Sequence, residues 1–181
     1  MYIRKTFLLL AFSVPLAFGC KKDNDTEATI DFGPGEGVAY RDAYNRPMGG
    51  GDNTDWGSDG TWRSREKDLF SDLSLNLDAA QAGGVSNMSI FPNPVVLDGE
   101  GTFHFNAPSE GRGKLVWVSK TYQVLDSQNI QFPKGETQFR LSFPAATFPK
   151  DQKYRLYYVL SKTDGSLLLK GHGDLLIYKP L

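Results

Sequence analysis

Three things are scarce in this chain of 181 residues. Cysteine occurs once, at Cys20, and histidine twice, at His104 and His172. One cysteine leaves no partner for an intrachain disulfide. Two histidines and one cysteine do not make a zinc site of the usual nitrogen and sulfur ligands. Net charge is also scarce: the chain carries 20 basic and 21 acidic residues, a formal charge of −1. No basic block stands out, so the electrostatic footprint of nucleic-acid binding is missing. There is no polybasic patch for lipid headgroups either. Sustained periodicity is missing from much of the first half. Asp31 to Gly37 and Met48 to Gly51 are dense in glycine and proline, which break regular elements.

One long apolar run is present, and it is at the N-terminus. Arg4 and Lys5 precede an apolar stretch from Phe7 to Phe18, interrupted by Ser13 and Pro15. That is the pattern of a secretory signal. It is too short for a membrane-spanning helix, which takes about 20 apolar residues. Small Gly19 then stands directly before Cys20. The stretch Leu16-Ala17-Phe18-Gly19-Cys20 resembles a bacterial lipobox, in which the cysteine is lipidated and becomes the first residue of the mature chain. Stable anchoring takes more than one acyl chain, and a multiply acylated cysteine meets that need. Removing residues 1–19 takes away two basic and no acidic residues, leaving a net charge near −3.

The residues that follow, Lys21-Lys22-Asp23-Asn24-Asp25-Thr26-Glu27, set two lysines and an acidic run beside the lipid. This resembles the export signal of Bacteroidota-type surface lipoproteins, carried here by Lys21, Lys22, Asp23, Asp25 and Glu27. The resemblance implies a lipid anchor in the outer membrane with the protein on the cell surface. The alternative is a solvated tether on the periplasmic face.

Residues 20–60 read as a lipidated cysteine and a flexible tether, too poor in apolar side chains to order alone, with the domain or a partner as the surface it could fold back onto. Residues 61–87 read as a short helix and a linker. Trp62, Leu69, Phe70, Leu73 and Leu77 recur at helical spacing, which predicts a short helix near 62–73 with Ser64 as its cap. Such a stripe must cover something, since burying each large side chain is worth roughly 1.5–3 kcal/mol. The expectation is the C-terminal domain for Leu69, Phe70 and Leu73. For Trp56, set among Asp52, Asp55 and Asp59, the expectation is a partner protein. Trp62 is a second candidate for partner binding.

From Met88 the texture changes. Thr102 to Asn106 alternates with Phe103 and Phe105 on one face. Leu115-Val116-Trp117-Val118 is continuously apolar, as in a strand buried on both sides. Tyr154, Leu156, Tyr158 and Leu160 share one face of a further strand and Tyr157 and Val159 the other, and Asp164-Gly165 marks a hairpin turn. Gly171 and Gly173 suggest a bulge in the last strand. Residues 88–181 are therefore expected to form a mainly β domain, a small antiparallel β-sandwich. Its opening segment, Ile90-Phe91-Pro92-Asn93-Pro94, with Tyr154 to Val159 placed as a penultimate strand, resembles the type A sorting domain of the type IX secretion system. The resemblance implies an immunoglobulin-like sandwich.

Chemistry has few candidates. His172 beside Asp174 suggests a general base, but no Gly-x-Ser-x-Gly elbow accompanies it. Asp52, Asp55 and Asp59 offer oxygen ligands, without the order of a calcium loop. The expectation is no enzyme, no catalytic residue, no resident metal and no cofactor. The expected role is a binding or structural accessory of an outer-membrane protein complex. A glycan-binding surface lipoprotein, stacking sugars on exposed tryptophans, and a secretion cargo-like protein are the alternatives.

Overall fold

The computed structural model describes residues 29–33, 37–49, 51–52 and 54–180. The signal segment, Cys20 and the expected export signal of Lys21, Lys22, Asp23, Asp25 and Glu27 lie outside the described residues. Among the described residues, no helix is long and apolar enough to cross a membrane.

Among the described residues, one helix and eight strands follow in order. The helix α1 is Ser64–Asp68. The strands are β1 Ser86–Phe91, β2 Val95–Val96, β3 Glu100–Ala107, β4 Gly111–Val118, β5 Val124–Phe132, β6 Gly135–Ser142, β7 Gln152–Lys162 and β8 Leu167–Tyr178. They form two sheets, a three-stranded one in the order β1-β3-β6 and a five-stranded one in the order β2-β8-β7-β4-β5. All pairings are antiparallel except the two-residue contact of β2 with β8. This is the expected mainly β, immunoglobulin-like two-layer build.

Period-two alternation places the core. Phe103 and Phe105 of β3 and Ile90 of β1 meet Leu115 and Trp117 of β4 and Leu156, Tyr158 and Leu160 of β7. Trp117 sits edge-on to Phe143 at 5.2 Å, in a tilt that aromatic quadrupoles favour. The apolar run of β4 is buried on both faces, as its sequence requires: Val116 and Val118 point to the opposite side of the sheet and join a second cluster. The Asp164-Gly165 turn is also as expected, with Gly165 at φ +85°.

The second cluster is built by the N-terminal arm, residues 29–85. Trp62, Phe70 and Leu77 cover Val116, Val118, Tyr157 and Val159 on the outer face of the larger sheet, with Leu69 and Leu73 packed alongside. The expectation for Leu69, Phe70 and Leu73 therefore holds. Trp62 stacks on Phe70 at 5.3 Å and meets Tyr157 edge-on at 5.6 Å.

The expected helix is corrected in length and cap. It ends at Asp68, and the chain goes on in turns, Phe70 donating to the Lys67 carbonyl and Leu73 to that of Phe70. Serines are weak helix formers, and Ser71 and Ser74 follow. Arg63 rather than Ser64 is the cap residue, and its N–H donates to Glu66 Oε2 at 2.9 Å.

The described part of the tether folds back onto the sandwich, one of the two courses expected for it. The described part of residues 29–60 is irregular, but it is packed: Ile30, Val38, Asp52 and Trp56 are all buried. Few apolar residues suffice because the sandwich supplies the other half of each contact.

Candidate functional site

The polar residues singled out from the sequence converge where the arm crosses β8. In the order of the larger sheet, β8 has only the short β2 beside it on its outer side. An open edge exposes unpaired backbone groups, and here the arm satisfies them. Trp56 N–H donates to the His172 carbonyl and Asp59 N–H to that of Lys170, both at 2.9 Å. Ala82 and Gly83 donate to Leu167 and Leu168. In the other direction, β8 amides donate to side chains: Lys170 to Gln81 Oε1, Asp174 to Asp55 Oδ1 and Leu176 to Asn93 Oδ1.

Two glycines make this crossing possible. A Cβ on Gly171 would lie 2.0 Å from the Gly57 carbonyl oxygen, and one on Gly173 would lie 2.3 Å from the Trp56 ring. The bulge expected at these glycines is therefore corrected. β8 runs on through both, and the irregular register lies at Leu160/Ser161. Their role is close approach: Trp56 supplies the ring that fills the space they leave, 6.2 Å from Phe103.

Both tryptophans offered for partner binding are corrected by the same geometry. Trp56 is 7% exposed and Trp62 is 4% exposed. Trp56 belongs to the core between the sheets, and Trp62 to the cluster outside the larger one. Neither presents a face for stacking a sugar.

His172 pairs with Asp59, not with Asp174. Its Nδ1 lies 2.8 and 3.0 Å from the two Asp59 oxygens, and Trp62 Nε1 donates to Asp59 Oδ2 at 2.7 Å. Burial pushes the Asp59 carboxyl up, but the hydrogen bond and charge of His172, with Trp62, hold it below the ordinary range. Asp174 is fully buried and gripped by Arg155, Nε to Oδ1 at 2.7 Å and Nη2 to Oδ2 at 2.6 Å. Arg155 also donates to the Asp31 carbonyl at 2.9 Å, which ties the start of the arm to the same pair. Burial raises Asp174 despite Arg155. Asp55 accepts from the amides of Ala39 at 3.0 Å and Asp174 at 3.1 Å. Burial, then the neighbouring Asp174 charge, pushes Asp55 up to about 8.

This arrangement decides what the cluster can do. Among the described residues no serine, threonine or cysteine side chain hydrogen bonds to His172, whose Nδ1 is turned to Asp59. Asp55, His172 and Asp174 bring one ligand atom each within 4.8 Å of one another. Yet Arg155 holds both Asp174 oxygens, backbone amides hold both Asp55 oxygens, and Asp59 holds His172 Nδ1. Asp52 accepts from Thr54 N–H and Oγ1. Each member of the Asp52, Asp55 and Asp59 set thus binds the chain's own donors. A cavity of about 540 Å³ opens beside Asp52 and Asp55, between the arm and Met88. His104 stands apart, pointing away from the core on β3 and bonded to the Asn87 carbonyl at 2.8 Å.

Asn93 and Arg155 are the residues whose part in this junction the sequence reading did not assign. Asn93 is fully buried. Its Nδ2 donates to the carbonyls of Ala39 and Asp174, and its backbone exchanges two hydrogen bonds with Arg41. The Pro92-Asn93-Pro94 segment thereby fastens the arm to β8. The signal for Arg155 was a lone charge inside the otherwise apolar run from Tyr154 to Leu160.

Comparison with protein-family models and with curated proteins gives no match for this chain.

Proposed function

We propose that this protein is a non-enzymatic, lipid-anchored module of the outer membrane, exposed at the cell surface, where it serves as a binding or structural accessory of a membrane protein complex. The observation that carries the reading is the use made of the polar residues at the arm–β8 junction. Asp55, Asp59, Asn93, Arg155, His172 and Asp174 are spent on holding the arm that leads from the anchor onto the sandwich. A stiff attachment of that kind suits a module that presents a surface rather than one that turns over a substrate. Cys20 after the apolar signal supplies the anchor, and the acidic residues Asp23, Asp25 and Glu27 supply the address.

The experiment is fractionation of cells carrying the wild type and Cys20→Ala, with crosslinking in purified outer membranes. The wild type is expected in the outer membrane, crosslinked to one defined protein, and Cys20→Ala in the soluble fraction. A Cys20→Ala protein that stays membrane-bound through detergent-free washing overturns the anchor. A wild type that forms no discrete crosslinked product overturns the accessory role.

A further inference from the structure

We infer that the open edge of β5, with the cavities beside it, receives an extended acidic segment of a partner protein. The two sides of the five-stranded sheet are treated differently. The β8 side is closed by the arm, whereas β5 forms the opposite end and pairs only with β4 among the described residues. At Val124–Phe132 it is a nine-residue edge, long enough to template an added strand.

The chemistry beside that edge selects the occupant. A cavity of about 320 Å³ lies between β5 and the arm, where Leu73, Leu75 and Val159 supply apolar wall and Lys114 and Lys162 supply positive charge. A second cavity of about 390 Å³ shares Arg112, Gln131 and Thr163 with it. Arg112 therefore stands between the two. Lys114 is neutralised by Asp72, and Lys162 has Asp164 close by, but Arg112 forms no ion pair among the described residues. Glu110 is the one carboxylate lining either cavity. A planar guanidinium on an exposed rim fits a carboxylate in bidentate fashion. The occupant is thus a strand that adds to β5 through its backbone, drops an apolar side chain against Leu73 and Leu75, and lays an acidic side chain on Arg112. The three-stranded sheet also ends on β1 and β6; β6 lines none of these cavities, and the cavity at Met88 of β1 is lined by the carboxylates of Asp52 and Asp55, which disfavour an acidic occupant.

This deepens the accessory reading and rests on it, yet its test needs no membrane, so a failure of the location leaves the edge untouched. The probe is an acetylated, amidated peptide, Thr-Glu-Val-Leu-Val-Glu-Thr, titrated into the full-length protein in mild detergent and followed by amide chemical shifts. Its counterparts carry lysine for glutamate, or N-methyl groups on alternate residues. The acidic peptide is expected to shift the amides of residues 124–132 and to bind at least about tenfold tighter than the lysine peptide. N-methylation is expected to abolish binding, and Arg112→Glu to reverse the charge preference with the fold unchanged. Equal binding of the acidic and lysine peptides, shifts confined to other strands, or no binding at millimolar peptide overturns the proposal. Concentration-dependent dimers that protect the β5 amides also overturn it, giving the edge to a second copy of the chain.

Discussion

Residues 86–180 close their own hydrogen bonds strand to strand, whereas the described part of residues 29–85 forms almost no ladder of its own and borrows one from β8. The sandwich hides its aromatic residues by alternation along each strand. The arm hides Trp56 and Trp62 on opposite faces of one sheet, by passing around its edge. The difference teaches that an irregular segment can be as well ordered as a strand when a sheet edge satisfies its amides and a face accepts its rings. It also teaches where such a segment is vulnerable. The arm depends on a few crossing points, and the tightest pass over Gly171 and Gly173, where a side chain would meet the arm.

Gly173 is the sharpest of these points. Gly173→Val puts branched carbon where the Trp56 ring lies, so the arm has to leave β8. We expect a loss of about 3–5 kcal/mol, the size of emptying a buried tryptophan site. Limited proteolysis should nick residues 37–60 while the sandwich amides stay protected from exchange. An unchanged urea midpoint with the arm still protected would show that the two regions do not depend on this contact.

Asn93→Ala is expected to have the next effect. It removes the donor to the Ala39 and Asp174 carbonyls and the acceptor for the Leu176 amide. Leaving such buried groups unpaired costs roughly 1–3 kcal/mol each, less where water enters. We expect about 3 kcal/mol by chemical denaturation, with faster amide exchange in the arm than in β3 and β6. Equal acceleration in both regions would break the distinction between them.

The smallest effect is one of pH. Asp55 is raised in the folded state to about 8, against about 3.9 for an unperturbed aspartate. Between those values the folded chain holds a proton that the unfolded chain has lost. This contribution is complete below about pH 4 and is lost as pH rises through about 8. Stability should therefore fall from pH 5 to pH 8, by at most about 1.4 kcal/mol per unit for one proton. Asp55→Asn removes one acceptor for the Ala39 and Asp174 amides, so it should lower stability at every pH and flatten the slope. Urea midpoints at four pH values decide this, and a wild-type midpoint that climbs toward pH 8 would refute it.

Much of the sandwich was legible because its signals are local. Alternation in β3, the doubly apolar run in β4 and the Asp164-Gly165 turn each constrain a few consecutive residues through backbone geometry alone. The stripe of Leu69, Phe70 and Leu73 was legible for the same reason, because apolar area of that size has to be covered. The partner of His172 was not legible. Adjacency along the chain pointed to Asp174, but in a strand both side chains point the same way, and Arg155 on the neighbouring strand claims Asp174 first.

The sequence by itself determined the β layers, their inward residues and the need to cover an apolar stripe, since these follow from periodicity and burial. Only the tertiary structure decided that Trp56 is core, that Gly171 and Gly173 make room for the arm rather than a bulge, and that His172 answers to Asp59. Each of these joins residues far apart in the chain, 113 positions in the case of Asp59 and His172. Such contacts arise from which groups a sheet edge leaves unsatisfied, and that is known only once the strands have taken their places.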